Sequence, residues 1–271
     1  MIVNDLTSTI LDIHGKNLKG IVVFGSLART EDFSPLSDIN IAVIVEEPAS
    51  FNQKLETLFA LGEKAAPIFL TFRQLKELHR EGDFIAHLLS MDGKLLFGDE
   101  EVYNLLRKKP RISEKTLGYL RLYSLSTLGI AIENYFAERY AFSLLYAYRS
   151  FRSCVRYHAA KHANFIPFAD KDVEYYLSKI DKQLARKYRR IRSERFTGFN
   201  VTELPSRLQD TLNSTAKLLG LETCSLIKLI DFVSRNSVKF IEKVHVKAKG
   251  QRLVMEVRYL DKDSSVKIVK I

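Results

Sequence analysis

Between residues 22 and 43 the sequence reads Val22-Val23-Phe24-Gly25-Ser26-Leu27-Ala28-Arg29, then Ser34-Pro35-Leu36-Ser37-Asp38-Ile39-Asn40-Ile41-Ala42-Val43. A glycine directly after an apolar run permits a tight turn, and such a turn aims backbone N–H groups and the Ser26 hydroxyl at a phosphate. Arg29 supplies a cation for the same anion. Asp38 and Asn40 stand two apart in a β-branched run, so on a strand both side chains point to one face. A phosphate cradle beside oxygen ligands at i and i+2 is the arrangement used by metal-assisted transfer, in which two Mg²⁺ ions hold a triphosphate and activate an attacking hydroxyl. The plainer alternative makes Gly25 an ordinary α/β turn and Asp38 an ordinary strand end.

Those residues need a sheet to hold them. Leu18 to Phe24 is a short apolar run closed by glycine, and Ile39 to Val45 is a second one, stopped by Pro48; both read as buried strands. The residues between Ser26 and Asp38 allow a short helix and a return to a neighbouring strand. Leu55, Leu58, Phe59 and Leu61 lie at helical spacing. A third strand is expected over 67–72, and Thr71 with Gln74 forms a capping-box pattern that opens a helix through Arg80. Lys94 to Gly98 reads as a closing strand. Strands alternating with helices indicate an α/β domain with a mixed sheet. From Ser113 to about Asn236 the pattern is helical, with helices expected over 113–135, 138–162, 170–189 and 206–235, a bundle. From Val238 onward alternation returns, with turns at Gly250 and over 261–265, which predicts a small antiparallel meander. The expected class is α+β and multidomain: an α/β domain over 1–105, a basic helical bundle over 106–236 and a β tail over 237–271.

The stretch around Gly25, Ser26 and Asp38 resembles the nucleotidyltransferase superfamily that includes DNA polymerase beta, kanamycin nucleotidyltransferase and the small "minimal" nucleotidyltransferases. That family's motif is an apolar residue, Gly-Ser or Gly-Gly, a spacer, then Asp-x-Asp or Asp-x-Glu between apolar residues. The resemblance covers roughly residues 10–102. It implies a protein that transfers a nucleoside monophosphate from a Mg²⁺-bound nucleoside triphosphate to a hydroxyl of a small molecule, protein or RNA. Gly25, Ser26 and Arg29 would bind the nucleotide phosphates, and Asp38 and Asn40 would be the catalytic, metal-holding pair. Two departures stand out. Asn40 occupies the place of the second acid, and the strand around Ala66 to Phe69 lacks the family's third. Asn offers a neutral carbonyl oxygen and no charge, and opposite unit charges at 4 Å are worth about 4 kcal/mol at an effective dielectric of 20. Asp83 or Asp92 could substitute, though neither sits on the expected strand. The rival reading is a catalytically degenerate module that binds a nucleotide, RNA or a partner.

The rest of the chain carries other candidates. Tyr140 to Tyr157 loosely resembles the HEPN bundle, whose ribonucleases use an Arg followed four to six residues later by His; Arg152 with His158 and Arg156 with His162 fit that spacing. The alternative is a pair of surface histidines near a helix end. Lys182, Arg186, Lys187, Arg189, Arg190, Arg192 and Arg195 crowd one predicted helix, with Tyr188 and Phe196 interleaved. Arg186, Arg189, Arg190 and Arg192 are the nucleic-acid-binding candidates, because arginine binds phosphate and aromatics stack on bases; a solvated helix face is the competing account. Tyr123, Tyr135, Tyr146 and Tyr148 are expected in the core, and Cys154 as buried packing.

Composition bounds the rest. The 271 residues suffice for two domains, and 46% apolar with 27% charged residues is a globular balance. Net charge is +10, but residues 1–105 hold 9 Lys and Arg against 16 Asp and Glu, while 106–271 hold 33 against 16. The second part therefore suits an anionic partner. No apolar run is long enough for a bilayer, which excludes a membrane-spanning role. The opening MIVNDLTSTI lacks the pattern of a signal peptide, and two cysteines make no disulfide framework, so a reducing cytoplasm is expected. Oligomers are compatible with all of this.

Overall fold

The computed structural model describes residues 2–29, 39–63 and 65–271, with side chains from residue 6 onward. Asp38 lies outside the described residues. The chain divides into two compact units, Met1–Thr116 and Leu117–Ile271.

The first unit runs α1 (Ile2–His14), β1 (Leu18–Phe24), α2 (Ser26–Arg29), β2 (Ile39–Val45), α3 (Phe51–Leu61), β3 (Ala65–Thr71), α4 (Phe72–Glu81), α5 (Phe84–Met91), β4 (Gly93–Gly98) and α6 (Glu100–Leu106). The four strands form one mixed sheet in the order β3-β2-β1-β4. β1 is antiparallel to both β2 and β4, and β2 runs parallel to β3. Alternation along β1 and β2 feeds two cores. Val22, Phe24, Ala42 and Ile44 pack on one face with Phe72, Leu75, Leu89 and Val102. Leu18, Ile21, Val23, Ile41 and Val43 pack on the other with Ile10. Apolar residues at both parities are what a strand covered on two faces requires. The capping box at Thr71 and Gln74 is present and starts α4.

The second unit holds most of α7 (Glu114–Phe136), then α8 (Tyr140–Ala163), α9 (Asp170–Ile180), α10 (Lys182–Thr197), α11 (Leu204–Leu219) and α12 (Leu226–Arg235), followed by β5 (Phe240–Lys249), β6 (Arg252–Leu260) and β7 (Val266–Lys270). The three strands make an antiparallel sheet in sequence order. One core joins the helices to the sheet, with Leu128, Tyr148, Phe151 and Leu208 packed in the same cluster as Val244, Met255 and Val257. Two expected helices are each divided. Asp181 turns extended between α9 and α10, and its carboxylate caps α10 by accepting from the N–H groups of Gln183 and Leu184. Gly220, left-handed at φ 68°, ends α11. No helix among the described residues is long and apolar enough to cross a membrane.

Candidate functional site

Strand register assembles the site from the sheet upward. At one end of the sheet, Ala66, Asn40, Phe24 and Gly93 form a row across β3, β2, β1 and β4. Asn40 shares its parity with Ala42 and Ile44, so it belongs to the face covered by α4, α5 and α6. Gly25 follows Phe24 at φ 80°, a backbone region that side chains rarely adopt. A Cβ at Gly25 would stand 3.2 Å from Asn40 Nδ2. The sequence-predicted Gly25 and Asn40 are therefore neighbours, with the Asn40 side-chain amide beside the turn. Ser26 and Arg29 open and close α2, the single helical turn that follows.

Arg29 has a specific partner. Its Nη1 donates to both carboxylate oxygens of Asp92, at 2.5 Å to Oδ2. Asp92 ends α5, one residue before Gly93 of the row, and its side chain is 3% exposed against 17% for Arg29. The ion pair thus ties the helix after the Gly25 turn to the start of β4. Gly93 lets β4 start hard against the end of α5, because a Cβ there would stand 2.3 Å from the Leu89 carbonyl oxygen. Asp83, the other carboxylate considered as a substitute, accepts from the Ile85 N–H at 2.9 Å as the cap of α5 and lies 3.2 Å from Lys115 Nζ.

Magnesium seeks oxygen donors, carboxylates foremost. β3 has the sequence AAPIFLT, and Ala66 stands beside Asn40. Among the described residues no group of three or more His, Cys, Asp or Glu could hold a metal. Asn40 is neutral, Asp92 is bound to Arg29, and Asp38 lies outside the described residues.

In the second unit the arginines of α10 are mostly ion-paired. Arg189 Nε lies 3.1 Å from Glu174, Arg190 reaches Glu194 at 3.0 Å and Glu203 at 2.8 Å, and Arg192 reaches Glu174 at 2.7 Å. Arg186 is exposed. Tyr188 is fully buried, which removes it as a base-stacking platform, whereas Phe196 is 60% exposed. Of the four tyrosines expected in the core, Tyr148 is there and Tyr135 and Tyr146 pack partly against it, but Tyr123 is exposed. Arg156 is buried and donates to the carbonyls of Pro167 and Phe168 at 2.9 and 2.7 Å, and Arg152 donates to the Tyr148 hydroxyl at 2.9 Å. His158 Nδ1 lies 2.7 Å from the Tyr176 hydroxyl, and burial pushes its pKa down, aided by His162 and Lys161. Cys154 is buried, and burial raises its thiol to about 12, so it is inert packing.

No family model matches the chain, and no curated protein matches it. Solved structures do. A spectinomycin adenyltransferase, AAD(9), from Enterococcus faecialis, solved with ATP and spectinomycin, is similar over 80% of this chain and 98% of its own, at 15% identity and a TM-score of 0.55. A nucleotidyltransferase-like protein from Exiguobacterium sibiricum covers 97% of this chain and 100% of its own at 13% identity, with a TM-score of 0.31. A Shewanella oneidensis HEPN toxin in complex with MNT antitoxin matches over 39% of this chain and 76% of that one, at 19% identity and a TM-score of 0.28. The chain shares the fold of that adenyltransferase over most of its length.

Proposed function

We propose that the first unit is a nucleoside-triphosphate-binding module built on the nucleotidyltransferase fold, with metal-dependent transfer weakened or lost. In this reading the Gly25 and Ser26 backbone, with the Ser26 hydroxyl, holds the phosphates. Asn40 then donates its amide N–H to a phosphate oxygen, a role that suits an anion and is useless to a cation. Arg29 acts as a positioning residue, held by Asp92, that keeps the turn in shape. The observation that supports the reading is the closeness of the Asn40 side-chain amide to the Gly25 turn, in a row of the sheet without a second carboxylate. ATP is the first nucleotide to try, since the similar adenyltransferase was solved with it.

A second reading keeps the chemistry, with Asp38 and Asn40 as the catalytic and Mg²⁺-binding pair passing a nucleoside monophosphate to a hydroxyl acceptor. It draws support from the adenyltransferase likeness over 80% of the chain. Calorimetric titration with ATP, in EDTA and then in Mg²⁺, separates the two. The module predicts binding that tolerates EDTA and survives Asp38→Ala. Label transfer from the α-phosphate, abolished by Asp38→Ala, would establish the transferase instead. Absence of binding under both conditions would refute both readings.

A further inference from the structure

In the second unit one arginine is packed away without the counter-charge its neighbours enjoy. Asp170, 4% exposed, accepts from the Tyr148 and Tyr188 hydroxyls at 2.6 and 2.5 Å. Arg152 Nη1 lies 3.9 Å from Asp170, and Arg192 Nε 3.2 Å. Glu174 takes Arg192 and Arg189. Arg195 stacks on the Tyr148 ring, with its guanidinium carbon 3.5 Å from the centroid, and on Phe196 at 4.8 Å. Its Nε is sealed from solvent and has no hydrogen-bond partner among the described residues. Four guanidiniums therefore share two carboxylates. Buried charges in folded proteins are normally matched. Burial lowers the Arg195 pKa, with Tyr148 and Asp170 pulling it back up, and a guanidinium keeps its charge at neutral pH all the same.

We infer that Arg195 and Arg152, with Phe196 beside them, form a binding site for the phosphodiester backbone of a single-stranded nucleic acid. The surplus positive charge calls for an anion. The sealed Nε takes no part; the Nη end of a guanidinium held flat against a ring is preorganised for two parallel bonds to phosphate. Phe196, 60% exposed and in contact with Arg195, offers a free ring face to a base. On α7, Tyr119 and Tyr123 stack with centroids 5.8 Å apart and are 43% and 37% exposed. The interleaving of stacking faces with guanidiniums fits a strand of phosphates and bases better than it fits an acidic peptide, which has no planar groups to stack. The inference is independent of the nucleotide reading for the first unit.

The test is fluorescence anisotropy of a labelled oligouridylate with the full chain and no nucleotide, across a salt series. Arg195→Gln should weaken binding about tenfold and reduce the salt slope by about 0.7, the increment for one phosphate contact on a single strand. Phe196→Ala should weaken it by about tenfold through lost stacking. Wild-type affinity and slope in Arg195→Gln would overturn the proposal. So would RNA binding untouched by Phe196→Ala, or displacement of the RNA by poly-glutamate at matched charge. Should Arg195→Gln fail to fold, Phe196→Ala decides the matter, because that exposed ring can be removed without opening the core.

Discussion

Removing either partner of the Arg29–Asp92 pair should loosen the turn that precedes it, and the cost can be worked from the geometry. At a charge separation of about 4 Å and an effective dielectric of 20, the attraction is about 4 kcal/mol. Part of this is offset by the desolvation of Asp92, whose side chain is 3% exposed. Asp92→Asn leaves a guanidinium 17% exposed that can still turn toward water, so we expect a loss of about 2–3 kcal/mol, the range for a charged hydrogen bond left unmade. Arg29→Met strands a more deeply buried carboxylate and should cost at least as much. The double variant removes both charges, and the cycle should return a coupling of about 2 kcal/mol. Because both residues also touch other groups, the coupling, and not either single loss, is the informative quantity. Urea unfolding followed by circular dichroism supplies it, as the chain has no tryptophan to report fluorescence. A coupling below about 0.5 kcal/mol, the scale of additivity for independent sites, would refute the claim that this pair fixes α2 to β4.

Other outcomes follow from the same geometry. Gly25→Ala places a Cβ at φ 80° and 3.2 Å from Asn40; it should cost about 1–2 kcal/mol of stability and weaken ATP binding in calorimetry. His14, 3% exposed, has Nε2 at 3.0 Å from Thr57 Oγ1, whose own proton goes to the Gln53 carbonyl at 2.7 Å. Nε2 therefore carries the hydrogen, and Nδ1 is buried with no partner among the described residues. Burial lowers the His14 pKa against the opposing pull of Glu56, so below pH 6.5 the unfolded chain binds the extra proton first. Its stabilising contribution is complete above 6.5 and is lost as pH falls toward the folded-state value. Between pH 7 and 5 the urea midpoint should fall further for the wild type than for His14→Gln, and equal falls would contradict this. Gly129→Ala would set a Cβ 2.1 Å from the Val244 carbonyl oxygen, and thermal melting should show a loss of about 1–3 kcal/mol from overpacking. Tyr188→Phe, which deletes one of two hydroxyls on Asp170, should cost about 1.5–3 kcal/mol.

The parts of this molecule governed by local rules were readable from the sequence. Apolar runs at both parities marked β1 and β2, glycine marked the turn at residue 25, and Thr71 with Gln74 marked the start of α4. The same rules passed over α1, α5 and α6, which are short or open on a β-branched stretch. Asp83 and Asp99 sit at the N-caps of α5 and α6 and were the available signal. A continuous charged run hid the break at Asp181, because an aspartate between two helices looks like any solvated residue until its carboxylate is seen capping α10. The Arg29–Asp92 pair spans 63 residues and is set by the register of β1 on β4, which no spacing rule supplies. Tyr188 read as a stacking residue because it sits among arginines, yet its place on the buried stripe with Leu184 and Ile191 sends it into the core.

The account stands on phosphates being held by the turn at Gly25 and Ser26, and amide NMR of isotope-labelled protein during titration with ATP tests that most directly. The Ser26 and Leu27 backbone signals and the Asn40 side-chain amide should shift together and saturate at one affinity. Shifts confined to other residues, with those three unmoved at saturation, would contradict it.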